Sequence, residues 1–429
     1  MLKYHEIFSQ KSLVALNHIG LLLCVFLLNT SCQQAKPTEP SGRVQVQIPL
    51  QSKTGDQIEY QLQNVFLEKI ESLKHVRGDY AHFYYSPGLK NNMLDGGSPV
   101  AFFIETVKSL FIPKDDLSMQ MATLYYHFQS LAKLSQSIGL GHALTVPAQV
   151  AVQAKVLEDQ QTSMLNNAFF DGRSKAFVFV RYTLDELPIS VNGGIIAHEY
   201  FHSIFYNLVY EKINKTNLPI AQKIHSETSH QKVTKNDNIT PQDLFNETFL
   251  RALNEGFADY WCWIYTSDSD FLKWSLSGFS KTRVLSDNRN SFWTHQRIEN
   301  EVTIALMSFD NPSSYLGQNV IYNIGTGYAR FLKQFTEIKS QEQNLNLPEA
   351  KLTVARLLIE FLKTLPAQAS QINSTETFDI FRLFHYINQN SESLSFKECD
   401  LLKEYISQDA DAAKFECTNN NNSYKVIKK

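Results

Sequence analysis

The 429-residue chain has only five cysteines, and two of them, Cys24 and Cys32, lie in or beside an N-terminal apolar run. The other three, Cys262, Cys399 and Cys417, have no spacing that would gather them around a metal, which excludes a cysteine-held structural metal site. Cys399 and Cys417 could pair in an exported compartment, whereas Cys262 sits in an apolar, helix-like stretch and reads as a buried thiol. Positive charge is not in excess. Forty Lys and Arg against 43 Asp and Glu give a formal net charge of -3, so a nucleic-acid partner is not indicated. There is no internal repeat, no phosphate-binding glycine loop and no Ser-His-Asp pattern. No apolar run reaches the roughly 20 residues that a membrane-spanning helix needs. With 43% hydrophobic and 19% charged residues, the composition is that of a globular protein and argues against both disorder and a polytopic membrane protein.

What is present begins at the N-terminus. Lys3 and Lys11 precede the run Ile19 to Leu28, and small residues then lead to Cys32. This pattern predicts a secretory signal peptide over residues 1–31. Ser31-Cys32 is similar to a bacterial lipobox, although Asn29 stands where an aliphatic residue is usual. Cys32 is therefore the candidate lipidation site, which would attach a cell-envelope lipoprotein, in the outer membrane, through an N-terminal lipid anchor; simple secretion is the alternative. Residues 32–42, polar and proline-containing, read as a tether.

Arg43 to Gln51 alternates with period two and predicts a strand, Tyr60 to Leu110 mixes helix-like and turn-like patches, and 43–116 as a whole is an N-terminal region without a recognisable role. Apolar residues recur at helical spacing from Leu117 to Ile138. Pro147 to Leu157 reads as a strand. Asn166 to Thr183 reads as a hairpin turning at Asp171-Gly172. Beyond Ile195 the patterns are mainly helical. The expected divisions are 117–206 as a sheet-containing part, 207–241 as a polar insertion, 242–415 as a helical part and 416–429 as a loose tail.

The chemistry is concentrated in His198-Glu199-Tyr200-Phe201-His202. Residues four apart share one face of a helix, so both imidazoles can reach one metal ion, and Glu199 can approach a water there without being a ligand. Composition alone produces an HExxH string in roughly one chain in fifty of this size, so the surroundings must decide. Downstream, Leu253 to Trp261 places Glu255 and Asp259 four apart on a second predicted helix. A catalytic zinc site needs three protein ligands and an open position. Glu255 is the candidate third ligand, and Asp259 would accept the outer N–H of a liganding imidazole.

HEYFH followed by NEGFAD resembles the HExxH and NExx(A/S)D pair of gluzincins such as thermolysin and the fungalysins. Asn166 to Phe170 is similar to the edge strand of thermolysin-like enzymes. The resemblance implies that Asn167 and Ala168 bind the substrate backbone, and it covers roughly Leu117 to Phe335. It further implies an α+β fold, with an N-terminal sheet-containing subdomain, a mainly α-helical C-terminal subdomain and the HExxH helix between them. The implied activity is zinc-dependent hydrolysis of protein or peptide substrates, with Glu199 as general base.

Two departures from the family stand out. His202 and Glu255 are 53 residues apart, more than in thermolysin, and the polar segment Glu211 to Pro241 takes up the difference, as a lid, a specificity loop or a passive insertion. The family's oxyanion-stabilising histidine is replaced by Tyr322 in the segment Val320 to Phe335, and a phenol can donate in its place; His295 is the second candidate. The substrate-binding arginine has no clear match, with Arg297 the nearest in position. No exopeptidase signature precedes the HExxH helix, which favours endopeptidase action. The competing reading is a surface lipoprotein that keeps the peptidase fold as a binding or scaffold protein. No reading of the oligomeric state follows from the sequence.

Overall fold

Val44, Val46, Ile48 and Leu50 alternate along one strand, so all four point to the same side, and all four are buried. In the computed structural model of the chain, that strand is β1 (Gly42–Thr54), paired antiparallel with the long β2 (Gln57–Ser72). The structure describes residues 41–428 apart from 55–56, 86–88, 91–92, 95–97, 142–145, 157–162, 215–238, 287–291, 373–374, 408–414 and 421–422. The signal peptide, Cys32 and the tether thus lie outside the described residues, as does most of the polar insertion.

Two five-stranded sheets follow from the N-terminal half. After β2 come β3 (Ala81–Tyr85), β4 (Ile104–Val107) and β5 (Leu110–Pro113). In the first sheet β2, β1, β5 and β4 lie side by side, with Arg77–Gly78 extending the β2 edge. Helix α1 (Asp116–Ser137) is capped by the Asp115 carboxylate, which accepts from Ser118 N at 2.7 Å, and it packs on β1 and β2. The second sheet takes in β6 (Ala148–Ala154), β7 (Ala168–Asp171) and β8 (Ala176–Val180), in the order β7-β8-β6-β3 with Ser98–Pro99 beyond. Strands β8, β6 and β3 run parallel, and β7 lies antiparallel to β8 at the edge.

Where helix-like patches are expected in 60–110, the described residues are strands, with one 3-10 turn at Leu73–His75. Their side chains alternate only weakly because β2 is exposed along much of its length. Strand β3 is an interior strand of the second sheet, so the region before α1 is built into the same unit, Ser41–Lys429, as everything after it. The expected two-residue turn at Asp171-Gly172 is a longer connection, since Asp171 pairs with Ala176. The Asp171 carboxylate accepts from Ser174 N at 2.9 Å and holds that turn.

The remainder is mainly helical, which makes the whole a mixed α+β fold with N-terminal sheets and a helical C-terminal part. Helix α2 (Gly193–Phe205) continues through a π-helical turn, Tyr206–Tyr210, into the short α3 (Glu211–Asn214). The first residues of the expected insertion are therefore a buried extension of α2 rather than a polar loop. Helix α4 (Pro241–Thr266) starts at a capping box between Thr240 and Asp243, with Pro241 in its first turn. It is the hub of the helical part, and Phe257, Tyr260 and Trp261 are fully buried in it. Then follow α5 (Ser277–Arg283), α6 (His295–Ser308), α7 (Pro312–Leu316), α8 (Tyr322–Glu342), α9 (Leu347–Gln371), α10 (Arg382–Asn390) and α11 (Phe396–Ile406). α4 packs against α2 and α8. The crossing with α8 is made backbone to backbone: a Cβ on Gly256 would lie 2.1 Å from Gly325 O.

The tail is ordered, contrary to expectation. β9 (Phe415–Asn420) and β10 (Ser423–Lys428) form an antiparallel hairpin. A Cys399–Cys417 disulfide joins it to α11, and Asn388 brackets Val426 with hydrogen bonds to its N–H and carbonyl, both at 2.9 Å. These are long-range contacts, which periodicity within the tail does not reveal. Among the described residues no helix is long and apolar enough to cross a membrane.

Candidate metal centre

The HExxH helix is fixed at its start. Asn192 caps it, with Oδ1 accepting from Gly194 N at 3.0 Å and Ile195 N at 3.3 Å. Its Nδ2 donates to Phe271 O at 2.8 Å and Ser275 Oγ at 3.0 Å. Tyr60, from β2, accepts from Gly193 N at 3.3 Å. The two glycines permit this closeness: a Cβ would meet His127 Cε1 at 2.7 Å from Gly193 and Phe271 Cβ at 2.5 Å from Gly194.

α2 and α4 face each other so that two helical i, i+4 pairs converge. His198 Nε2 lies 3.1 Å from Glu255 Oε2 and 2.9 Å from His202 Nε2, and His202 Nε2 lies 3.6 Å from Glu255 Oε1. The outer nitrogens are oriented as well. His198 Nδ1 is 3.0 Å from Asp259 Oδ1, and His202 Nδ1 is 2.9 Å from Asn254 Oδ1. With both outer nitrogens protonated, both Nε2 lone pairs point at each other and at a carboxylate. A proton serves one pair of these atoms at a time, whereas a metal ion serves all three; the Arg283 guanidinium stands 3.7 Å from Glu255 Oε2 at the edge of the cluster. Tetrahedral bonds of about 2.0–2.1 Å would hold the donor atoms about 3.3 Å apart, within the range seen. His198, His202 and Glu255 are thus close enough to hold a metal ion. Burial works against a charged imidazole at both histidines. The carboxylates of Asp259 and Glu255 outweigh it at His198 and raise its pKa, whereas His202 is pushed down to about 4.

Beside the cluster opens a cleft of about 350 Å³ lined by Glu199, Asn167, Ala168, Arg251, Arg283 and Tyr322, among others. Glu199 is buried, its Oε2 has no hydrogen-bond partner, and burial pushes its pKa up to about 8. Asn167 and Ala168 lie at the free edge of the second sheet. The Asn167 side chain accepts from Ala168 N at 2.9 Å, and its carbonyl accepts from Val180 N at 3.1 Å. The negative charge of Glu255 pushes the Tyr322 hydroxyl up to about 12, so it stays protonated and able to donate.

The other two candidates lie elsewhere. His295 bonds Thr377 Oγ1 at 2.8 Å and lies tilted against Phe245, ring centroids 4.6 Å apart, so it holds α6 in place. Arg297 is exposed and lies over Trp293, 3.9 Å from the ring centroid. Two other arginines line the cleft, Arg251 on α4 and Arg283 at the end of α5, and Arg283 is the one that joins the metal cluster. Its Nε is 3.1 Å from Asp259 Oδ2, its Nη2 also pairs with Asp259 Oδ1, and its guanidinium stacks 4.5 Å from the Tyr322 ring centroid. The signal that could have found it is physical: a buried Asp259 needs a cation as well as an imidazole, and Arg283 supplies one from 24 residues downstream. No protein-family model matches the chain, and no curated protein matches it at a significant level.

Proposed function

We propose that the chain is a zinc-dependent endopeptidase of the thermolysin-like kind, exported and anchored to the cell envelope through Cys32. The observation that carries this reading is the convergence of His198, His202 and Glu255 beside a buried, unpartnered Glu199 oxygen in a cleft bordered by a free sheet edge. Zinc held by these residues would supply Lewis-acid polarisation of a carbonyl and lower the pKa of a bound water toward 7. Glu199, with a buried and unpartnered carboxylate oxygen beside the cluster, takes a proton from the attacking water and returns it to the leaving amine. The edge strand β7, with Asn167 just before it, would lie alongside an extended polypeptide and offer its outward main-chain groups. Tyr322 and Arg283 present donors to the developing oxyanion. Arg283 fills the place for which the sequence offered no clear arginine, which supports catalysis over a purely binding role. The Cys399–Cys417 disulfide supports an oxidising, exported location.

The test is metal analysis and peptide cleavage by the chain lacking residues 1–32, with and without chelator. One zinc per chain and chelator-sensitive cleavage are expected. Glu199→Gln should keep the zinc and lose roughly two to four orders of magnitude in turnover. Near-normal turnover removes Glu199 as the base, zinc without any cleavage favours the binding role, and absence of zinc sinks the reading.

A further inference from the structure

The HExxH helix opens on Gly193 and Gly194, two poor helix formers, so its first turn is intrinsically weak and depends on outside partners. The first N–H groups of a helix have no acceptor within it. The Asn192 side chain takes those of Gly194 and Ile195, and the Tyr60 hydroxyl takes the one left over, Gly193 N, at 3.3 Å. Tyr60 reaches this turn from β2, 133 residues earlier in the chain. Burial raises the pKa of its hydroxyl, which therefore keeps its proton and donates to Asn192 Oδ1 at 3.4 Å. That donation settles which way the Asn192 carboxamide faces, with Nδ2 toward Phe271 O and Ser275 Oγ. Phe271 carries the contacts onward, since its ring lies 6.2 Å from that of His198, at 28°.

Tyr60 is the cross-strand partner of Gln51, so both side chains stand on one face of the β1–β2 pair. Gln51 Nε2 donates to Asp268 Oδ2 at 3.3 Å, and Trp274 Nε1 donates to the same oxygen at 2.8 Å. Tyr60 meets Trp274 edge-on, ring centroids 5.6 Å apart. One end of the first sheet thus grips both the start of α2 and the segment Phe271–Trp274, the two pieces that carry His198 and cover its ring. Gly193 precedes His198 by five residues, about 7.5 Å along the helix axis, so a shift at the helix start is passed to the imidazole and to its distance from Glu255 on α4.

We propose that Tyr60 is a positioning residue for the metal centre, through which the first sheet sets the place of His198. This rests on the zinc reading for its setting, but the deciding measurement is metal affinity rather than cleavage. The test compares two Tyr→Phe changes in the full-length chain. Tyr125→Phe is the control, because its hydroxyl bonds the β2 carbonyls of Glu68 at 2.8 Å and Lys69 at 3.2 Å rather than α2. Zinc affinity is measured by competition with a chelator while both variants are fully folded, and the visible band of the cobalt-loaded forms reads the ligand geometry. Tyr60→Phe should weaken zinc binding about tenfold, the lower end of what loss of an outer partner of a metal ligand costs, and should shift the cobalt band. Tyr125→Phe should leave both as in the parent. Equal zinc affinity in the two variants, whether lowered or unchanged, would make Tyr60 a structural contact only and overturn the proposal. If the affinities separate as expected but the parent cleaves no peptide, the positioning role stands and the peptidase reading fails; if the parent cleaves and the affinities coincide, only the positioning role fails.

Discussion

Replacing Gly256 by alanine puts one methyl group where α4 crosses α8, next in sequence to Glu255. The new Cβ would sit 2.1 Å from Gly325 O, and ordinary contact begins near 3.4 Å, so the helices must part by about 1.3 Å (3.4 − 2.1). No side chain can turn aside, because the opposing atoms are backbone. Overpacking of this kind costs about 1–3 kcal/mol, and a backbone clash belongs at the upper end. Alanine returns about 1 kcal/mol through helix propensity, leaving a net loss of about 2 kcal/mol. Tyr322, three residues before Gly325, would move with α8, so metal affinity and turnover should fall together. Gly278→Ala is the control: it is also helical, but nothing lies within 4 Å of its Cβ, so a gain of up to about 1 kcal/mol is expected. Chemical denaturation of both variants, with metal competition against a chelator, reads the effects. If Gly256→Ala is at least as stable as the parent and binds metal equally well, the close-crossing argument is wrong.

Other consequences are more local. Tyr322→Phe keeps the ring under Arg283 but removes the donor, so metal content should hold while kcat drops roughly a hundredfold; unchanged kcat would move the oxyanion role elsewhere. His127 is buried, and burial pushes it down from its ordinary 6.5 to about 3. The unfolded chain therefore binds a proton that the folded one refuses, so stability is full above about pH 6.5. It declines as pH falls toward 3, by about 1.4 kcal/mol per unit. His127→Gln should flatten that slope, and equal slopes would refute the assignment. Cys399→Ser opens a loop with a sequence separation of 18 and should lower stability by about 3 kcal/mol, read by thermal unfolding with and without reductant.

The parts of the site that were legible in advance are the local ones. His198 with His202, and Glu255 with Asp259, are i, i+4 pairs whose common face follows from helix geometry alone. The strand at Ala168–Asp171 and the helix over Asp116–Ser137 are likewise visible as short-range patterns, whereas the placing of that strand at a sheet edge came from the family resemblance. Tyr322 was preferred to His295 only through the resemblance of the segment Val320 to Phe335, because each is one residue with no repeating pattern around it. Their placement separates only once Tyr322 lines the cleft and His295 is tied to Thr377.

What the sequence determined by itself is therefore the type of donor set, which is written in the spacing of neighbouring residues, while the mixed α+β class followed from the family resemblance that those residues carry. Tertiary structure decided which arginine pairs with Asp259, that β3 completes the second sheet, that the tail is clamped, and that Gly256 meets Gly325. Each of these depends on contacts between residues distant along the chain, and chain-local patterns carry no information about which distant surfaces will pack together.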